Sequence, residues 1–281
     1  LFIGSRDGTL HYIAENDGQT LWTAKTGGSV RGKAVGAGDA VYIGSDDGAF
    51  YSLDAQTGQT NWRFQARGPV RSRAAVDDRT VYVGASDGYV YSLTRKKGKL
   101  RWKRRTGAAV EAGLLQLDRR VIALSFDNFV YALDSGDGRV VWNLRLGGRI
   151  TFDPIADQTF LLVCALRTNH VLVVKRSDGT PATTFSLEPD REIISPPIVI
   201  AESLILATSE GLIVARHSRA DGPRGRGAWE QRGSSRLAQV RGYFLGKLLH
   251  FLGFQQGHAG EGEGNGRDRQ RDRISKPPIH A

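Results

Sequence analysis

Four tryptophans constrain this chain more than any other feature. Trp22, Trp62, Trp102 and Trp142 recur at intervals of 40 residues, each inside the same local text. Four residues before them stand Gly18, Gly58, Gly98 and Gly138, and eight residues after them Val30, Val70, Val110 and Ile150. Ten residues ahead of each glycine lies a turn: Arg6-Asp7-Gly8, Asp46-Asp47-Gly48, Ser86-Asp87-Gly88 and Phe126-Asp127-Asn128. Such register over four copies defines a repeat protein, and a repeat overrides the one or two domains that length alone suggests.

Residues 71–110 show what one copy builds. Arg73-Ala74-Ala75-Val76-Asp77 is a short apolar run ended by the turn Asp78-Arg79. Thr80-Val81-Tyr82-Val83-Gly84 and Tyr89-Val90-Tyr91-Ser92-Leu93 are β-branched and aromatic, and Asp87-Gly88 between them favours a type I′ hairpin. After Lys96-Lys97-Gly98, the run Lys99-Leu100-Arg101-Trp102-Lys103 alternates at period two. Copy four replaces the turn glycine by Asn128, the other residue that readily takes a left-handed backbone. Four short antiparallel strands per copy predict an all-β fold, a β-propeller of four-stranded blades. No copy carries a helical stripe. A WD-type propeller is excluded as well, because the residues after the tryptophans are Thr23, Arg63, Lys103 and Asn143.

The text Ser52-Leu53-Asp54-Ala55-Gln56-Thr57-Gly58-Gln59-Thr60-Asn61-Trp62 resembles the tryptophan-docking motif of the pyrroloquinoline-quinone (PQQ)-type propeller repeat. The resemblance implies that Trp22, Trp62, Trp102 and Trp142, with Gly18, Gly58, Gly98 and Gly138, dock each blade on the next. Five to six blades are expected over 1–217: 1–30, 31–70, 71–110, 111–150, 151–194 and a partial 195–217. That is short of the family's usual closed ring of eight. Copy five carries Ser177-Asp178-Gly179, with Phe185 in the expected place of the tryptophan. The family divides into quinoprotein dehydrogenases, which hold PQQ and calcium on the axis, and non-catalytic propellers, among them the lipoprotein of the outer-membrane barrel assembly machine. The second branch implies a protein-binding scaffold in the periplasm or cell envelope, without a cofactor. A fragment of a PQQ-dependent dehydrogenase is the alternative.

The residues offer little for catalysis. Cys164 is the one cysteine, so neither a disulfide nor the vicinal cysteine pair of the alcohol-oxidising quinoproteins can form. None of the six histidines stands at a metal-binding spacing. Asp127 and Asn128 are potential calcium oxygens, but their position is a turn position in every copy. Asp153 could line the axis. So could Arg31 and Lys33, which recur one interval later as Arg71 and Arg73; on an innermost strand each pair would face the same way. Those four cations define a possible anion-binding channel. A salt-bridged rim is the plainer reading, with Glu111 and Gly113 of copy four beside them.

Net charge is +10, of which residues 1–217 carry +4 and residues 218–281 carry +6. A basic run from Arg95 to Arg105 falls on a turn and outermost strand, where charge protects a sheet edge; without stacking aromatics it does not point to nucleic acid. No apolar stretch reaches the ~18 residues of a transmembrane helix. Leu1-Phe2-Ile3-Gly4 aligns with Val41-Tyr42-Ile43-Gly44, the middle of a repeat, so the chain reads as a fragment. The Gly- and Arg-rich text of 218–281 is low in complexity and reads as a disordered extension or as a coding artefact.

Overall fold

Each 40-residue copy folds into one antiparallel sheet, whose strands follow one another in chain order. The first blade has three strands, β1 (Phe2–Gly4), β2 (Thr9–Ile13) and β3 (Thr20–Lys25). The second comprises β4 (Val35–Ala37), β5 (Ala40–Gly44), β6 (Ala49–Asp54) and β7 (Thr60–Gln65). The third comprises β8 (Ala75–Val76), β9 (Thr80–Gly84), β10 (Tyr89–Thr94) and β11 (Leu100–Arg105). The fourth runs through β12 (Leu115–Leu117), β13 (Arg120–Ser125), β14 (Phe129–Asp134) and β15 (Val140–Arg145). The fifth runs through β16 (Ile155–Ala156), β17 (Phe160–Cys164), β18 (His170–Lys175) and β19 (Pro181–Ser186). The sixth holds β20 (Ile198–Ile200), β21 (Ser203–Ala207), β22 (Ile213–Arg219) and β23 (Ala228–Gln231).

This computed structural model describes residues 1–148, 150, 152–200, 203–211, 213–219 and 228–231, all within the unit Leu1–Ser234. The boundary expected at 217 falls inside β22, and β23 pairs with that strand, Ser218 opposite Trp229. The remainder of the expected tail, 232–281, lies outside the described residues.

The second strands of the second and third blades are buried on both faces. All five residues of β5 and of β9 are buried, which is why these runs are near-continuous in Val, Ile and Tyr. Outermost strands alternate instead, as in β11, where Trp102 is buried between exposed neighbours. Apolar clusters join adjacent blades: Tyr42, Phe50 and Val70 of the second pack with Val81, Tyr91 and Leu93 of the third. The β-branched residues eight after each tryptophan are completely buried. Val30, Val70 and Val110 press on Gly4, Gly44 and Gly84 of their own blades, where a Cβ would strike the valine.

The hairpin between second and third strands is not the expected type I′. Only its last residue has positive φ: +88° at Gly8, +80° at Gly48, +82° at Gly88 and +68° at Asn128. The Gly48 amide donates to the Ser45 carbonyl and the Ser45 amide to the Ala49 carbonyl. This is a type I turn closed by a left-handed residue, the geometry of a longer loop. The aspartate keeps negative φ and is free to cap the turn with its side chain.

Phe185 does not stand in the tryptophan's register. Tryptophans 62, 102 and 142 pair with Ser52, Ser92 and Ala132, next to a β-bulge in each blade. In the fifth blade the residue beside the bulge is Thr183, opposite Val173. Phe185 pairs with Val171, as Phe64 pairs with Phe50, and is buried. The fifth copy also carries one extra loop residue, since Cys164 pairs with Val171, seven positions on, where Leu124 pairs with Val130, six positions on.

Candidate functional site: the axis and the contacts between blades

The cations expected at the axis lie in the segments just before the innermost strands β4 and β8, not on those strands. There they meet acids in two sets. Arg31 and Arg71 both donate to Asp46, at 2.8 and 2.7 Å, and Arg71 also reaches Glu111 at 3.2 Å. Lys33 and Arg73 both reach Asp153, at 3.3 and 3.4 Å, while the Gly113 amide donates to its other oxygen at 2.6 Å. Lys33 and Asp153 are 120 residues apart, three repeats, so their meeting places both at the centre around which the blades turn. Ser86 seats Glu111 at 2.7 Å.

These contacts set the charges. Burial works to raise the Asp153 carboxyl, but the Gly113 amide, Lys33 and Arg73 outweigh it and hold the group below the ordinary 3.8. Asp46 is likewise held down, by Arg71 and Arg31 against its burial. Four cations thus face three carboxylates. Sequence reasoning missed Asp46 as a ligand of this network, because its equivalents Arg6, Ser86 and Phe126 vary and only the turn itself repeats.

A second layer of contacts ties neighbouring blades. Asp47 accepts from the Ala49 amide at 2.8 Å, the Tyr51 hydroxyl at 2.6 Å and, in the preceding blade, the Gly27 amide at 3.0 Å. Asp87 does the same with Tyr89, Tyr91 and Arg67, and Asp127 with Phe129, Tyr131 and Gly107. Asp127 is therefore fully engaged in the turn and its neighbour. Burial and the adjacent carboxylate push the Tyr131 hydroxyl up to about 12.

The tryptophans form the third layer. Each Nε1 donates to a carbonyl of the following blade: Trp22 to Ala55, Trp62 to Arg95, Trp102 to Ser135 and Trp142 to Arg176, at 2.9–3.1 Å. Each ring also lies on the following blade's glycine. A Cβ at Gly58, Gly138 or Gly179 would sit 2.5–2.6 Å from Trp22, Trp102 or Trp142, and one at Gly98 closer still to Trp62. A glycine and the tryptophan four residues after it thus face opposite neighbours. Gly18 has the same left-handed backbone, with nothing within 4 Å of where a Cβ would be.

Among the described residues no three His, Cys, Asp or Glu side chains group as metal ligands, and no helix is long and apolar enough to cross a membrane. Cys164 is buried and its thiol is pushed up to about 11 by that burial.

Repeated antiparallel blades, the first four each locked to the next by a Trp-on-Gly contact, define a β-propeller of the PQQ-repeat class. The sequence profile of the family described as outer membrane protein assembly factor BamB matches residues 6–149 and 127–245, and the chain belongs to that family. Sequence comparison with curated proteins finds no match. Among solved structures the chain is similar to BamB from Moraxella catarrhalis, with TM-score 0.67 and 21% identity over 84% of this chain and 73% of that one. It is also similar to the computationally designed Ika8 protein, with TM-score 0.68 and 18% identity over 77% and 67%. At these identities the likeness establishes the fold.

Proposed function

We propose that this chain is a non-catalytic scaffold that presents the rims and edges of a rigid propeller to protein partners during outer-membrane protein assembly in the cell envelope. The observation that carries this reading is the state of the axis. Asp46, Glu111 and Asp153, the acids that would have to supply an oxygen cage, are each bound to Arg or Lys. A calcium ion would have to displace Lys33 and Arg73 from Asp153 before coordinating it. The polar groups at the centre act as ties between distant repeats, which suits a scaffold better than a reaction centre. Membership of the BamB family supports the envelope and the assembly role. The test is to delete the gene in its host and quantify outer-membrane β-barrel proteins. The scaffold reading expects their steady-state amounts to fall and an Asp153→Asn copy that still folds to restore them. Unchanged barrel levels, together with loss of a quinone-dependent oxidation, would refute it.

A further inference from the structure

The repeat contains its own control experiment. In the first three blades an aromatic ring stands in the cross-strand row that ends in the tryptophan. Phe2, Tyr42 and Tyr82 lie 5.8, 5.9 and 5.8 Å from Trp22, Trp62 and Trp102. The fourth blade keeps the row, pairing Ile122 with Ala132 and Ala132 with Trp142, but Ile122 replaces the ring. At that place a cavity of about 530 Å³ opens between the fourth and fifth blades, with Ile122, Leu117 and Phe160 among its lining. Its size is that of a small-ligand pocket.

The polar lining departs from the repeat too. Between the second and third blades Arg95 reaches across to the Ala37 carbonyl at 2.9 Å. Arg176, its counterpart below the next tryptophan but one, turns instead to the Asp118 carboxylate at 2.7 Å. Arg119, Arg120, Lys175 and Arg176 line the cavity against Asp118 as the one acid. An apolar wall of Leu117 and Phe160 over the buried, smaller Ile122, with a rim of cations in excess of acids, specifies a ligand with a flat apolar body and an anionic end. From this geometry we infer that the cavity between the fourth and fifth blades binds a small aromatic carboxylate, whose ring occupies the place that Tyr42 and Tyr82 fill in their own blades.

This site is independent of the axis and of the scaffold reading. The test is calorimetric titration of the chain with 2-naphthoate, with 2-naphthamide as the uncharged control. Saturable binding of the acid below about 1 mM, and binding of the amide weaker by about tenfold or more, is expected. Ile122→Phe restores the ring that Phe2 supplies in the first blade. It should weaken 2-naphthoate by about tenfold or more while the melting temperature holds or rises. Should that variant not fold, Arg119→Gln combined with Lys175→Gln removes two exposed cations, the first with only a 3.9 Å approach to Asp134, and must weaken the acid while leaving the amide unchanged. Absence of saturable binding, equal binding of acid and amide, or an affinity untouched by whichever of these variants folds overturns the inference.

Discussion

At the scale of single residues, the aspartate of the turn and the glycine under the tryptophan carry the most structure per atom. Asp127 satisfies its own hairpin, a half-buried tyrosine and an amide of the neighbouring blade. Tyr131→Phe removes one of these bonds and should cost about 1 kcal/mol, measured by denaturant unfolding. The glycines allow a sharper comparison, because Gly98 and Gly18 share a left-handed backbone at φ +61° and +72° but differ in what lies above them. Gly18→Ala should cost about 1–2 kcal/mol, the penalty of the backbone alone. Gly98→Ala adds the collision with Trp62 and should cost about 1–3 kcal/mol more. Equal losses in the two variants would mean that the ring does not press on the glycine. Cys164 gives a reporter that needs no mutation. A thiol raised to about 11 and buried should resist alkylation at pH 8 in the folded protein and react on unfolding.

At the scale of the strand, the outermost element of each blade is where the sequence was most and least readable. Its period is plain because tryptophan and glycine meet across blades, so the first four copies carry both at fixed spacing. Trp102→Ala should open that contact and cost about 3–5 kcal/mol, whereas Trp102→Phe, which loses chiefly the bond to Ser135, should cost much less. The β-bulge beside each tryptophan left no mark that composition could reveal, since the extra residue is Leu21, Asn61, Arg101 or Val141, four unrelated types. The hairpin type is illegible for a related reason. Asp-Gly serves both a two-residue turn and a longer loop, and only strand register decides between them. The fifth copy has Thr183 where the others have tryptophan, and its one aromatic residue nearby, Phe185, is the counterpart of Phe64 instead. The axial cations are legible as a repeated pair, and so are Glu111 and Asp153, which stand at the same two repeat positions in later copies; Asp46 is not, because it comes from a turn position whose residue varies.

At the scale of the whole propeller, the blades are joined by layers of contacts that respond differently to conditions. The tryptophan layer is apolar and indifferent to pH. The axial layer is not, because Asp46 and Asp153 have folded-state values below the ordinary 3.8. A lowered value means that their contribution is present above about pH 4 and is lost as pH falls through the folded value. Between pH 5 and pH 2 the melting temperature should therefore fall, and Asp153→Asn should flatten that slope; an unchanged slope would remove Asp153 from the ties that hold the ring. The same ties underlie the functional reading, in which the centre of the propeller is committed to holding repeats together and partners meet its surface. The most direct measurement is a titration of the folded chain with PQQ in the presence of calcium, followed by tryptophan fluorescence. An axis committed to its ion pairs gives a flat response through the micromolar range. Saturable quenching there would contradict it and make the axis a cofactor site.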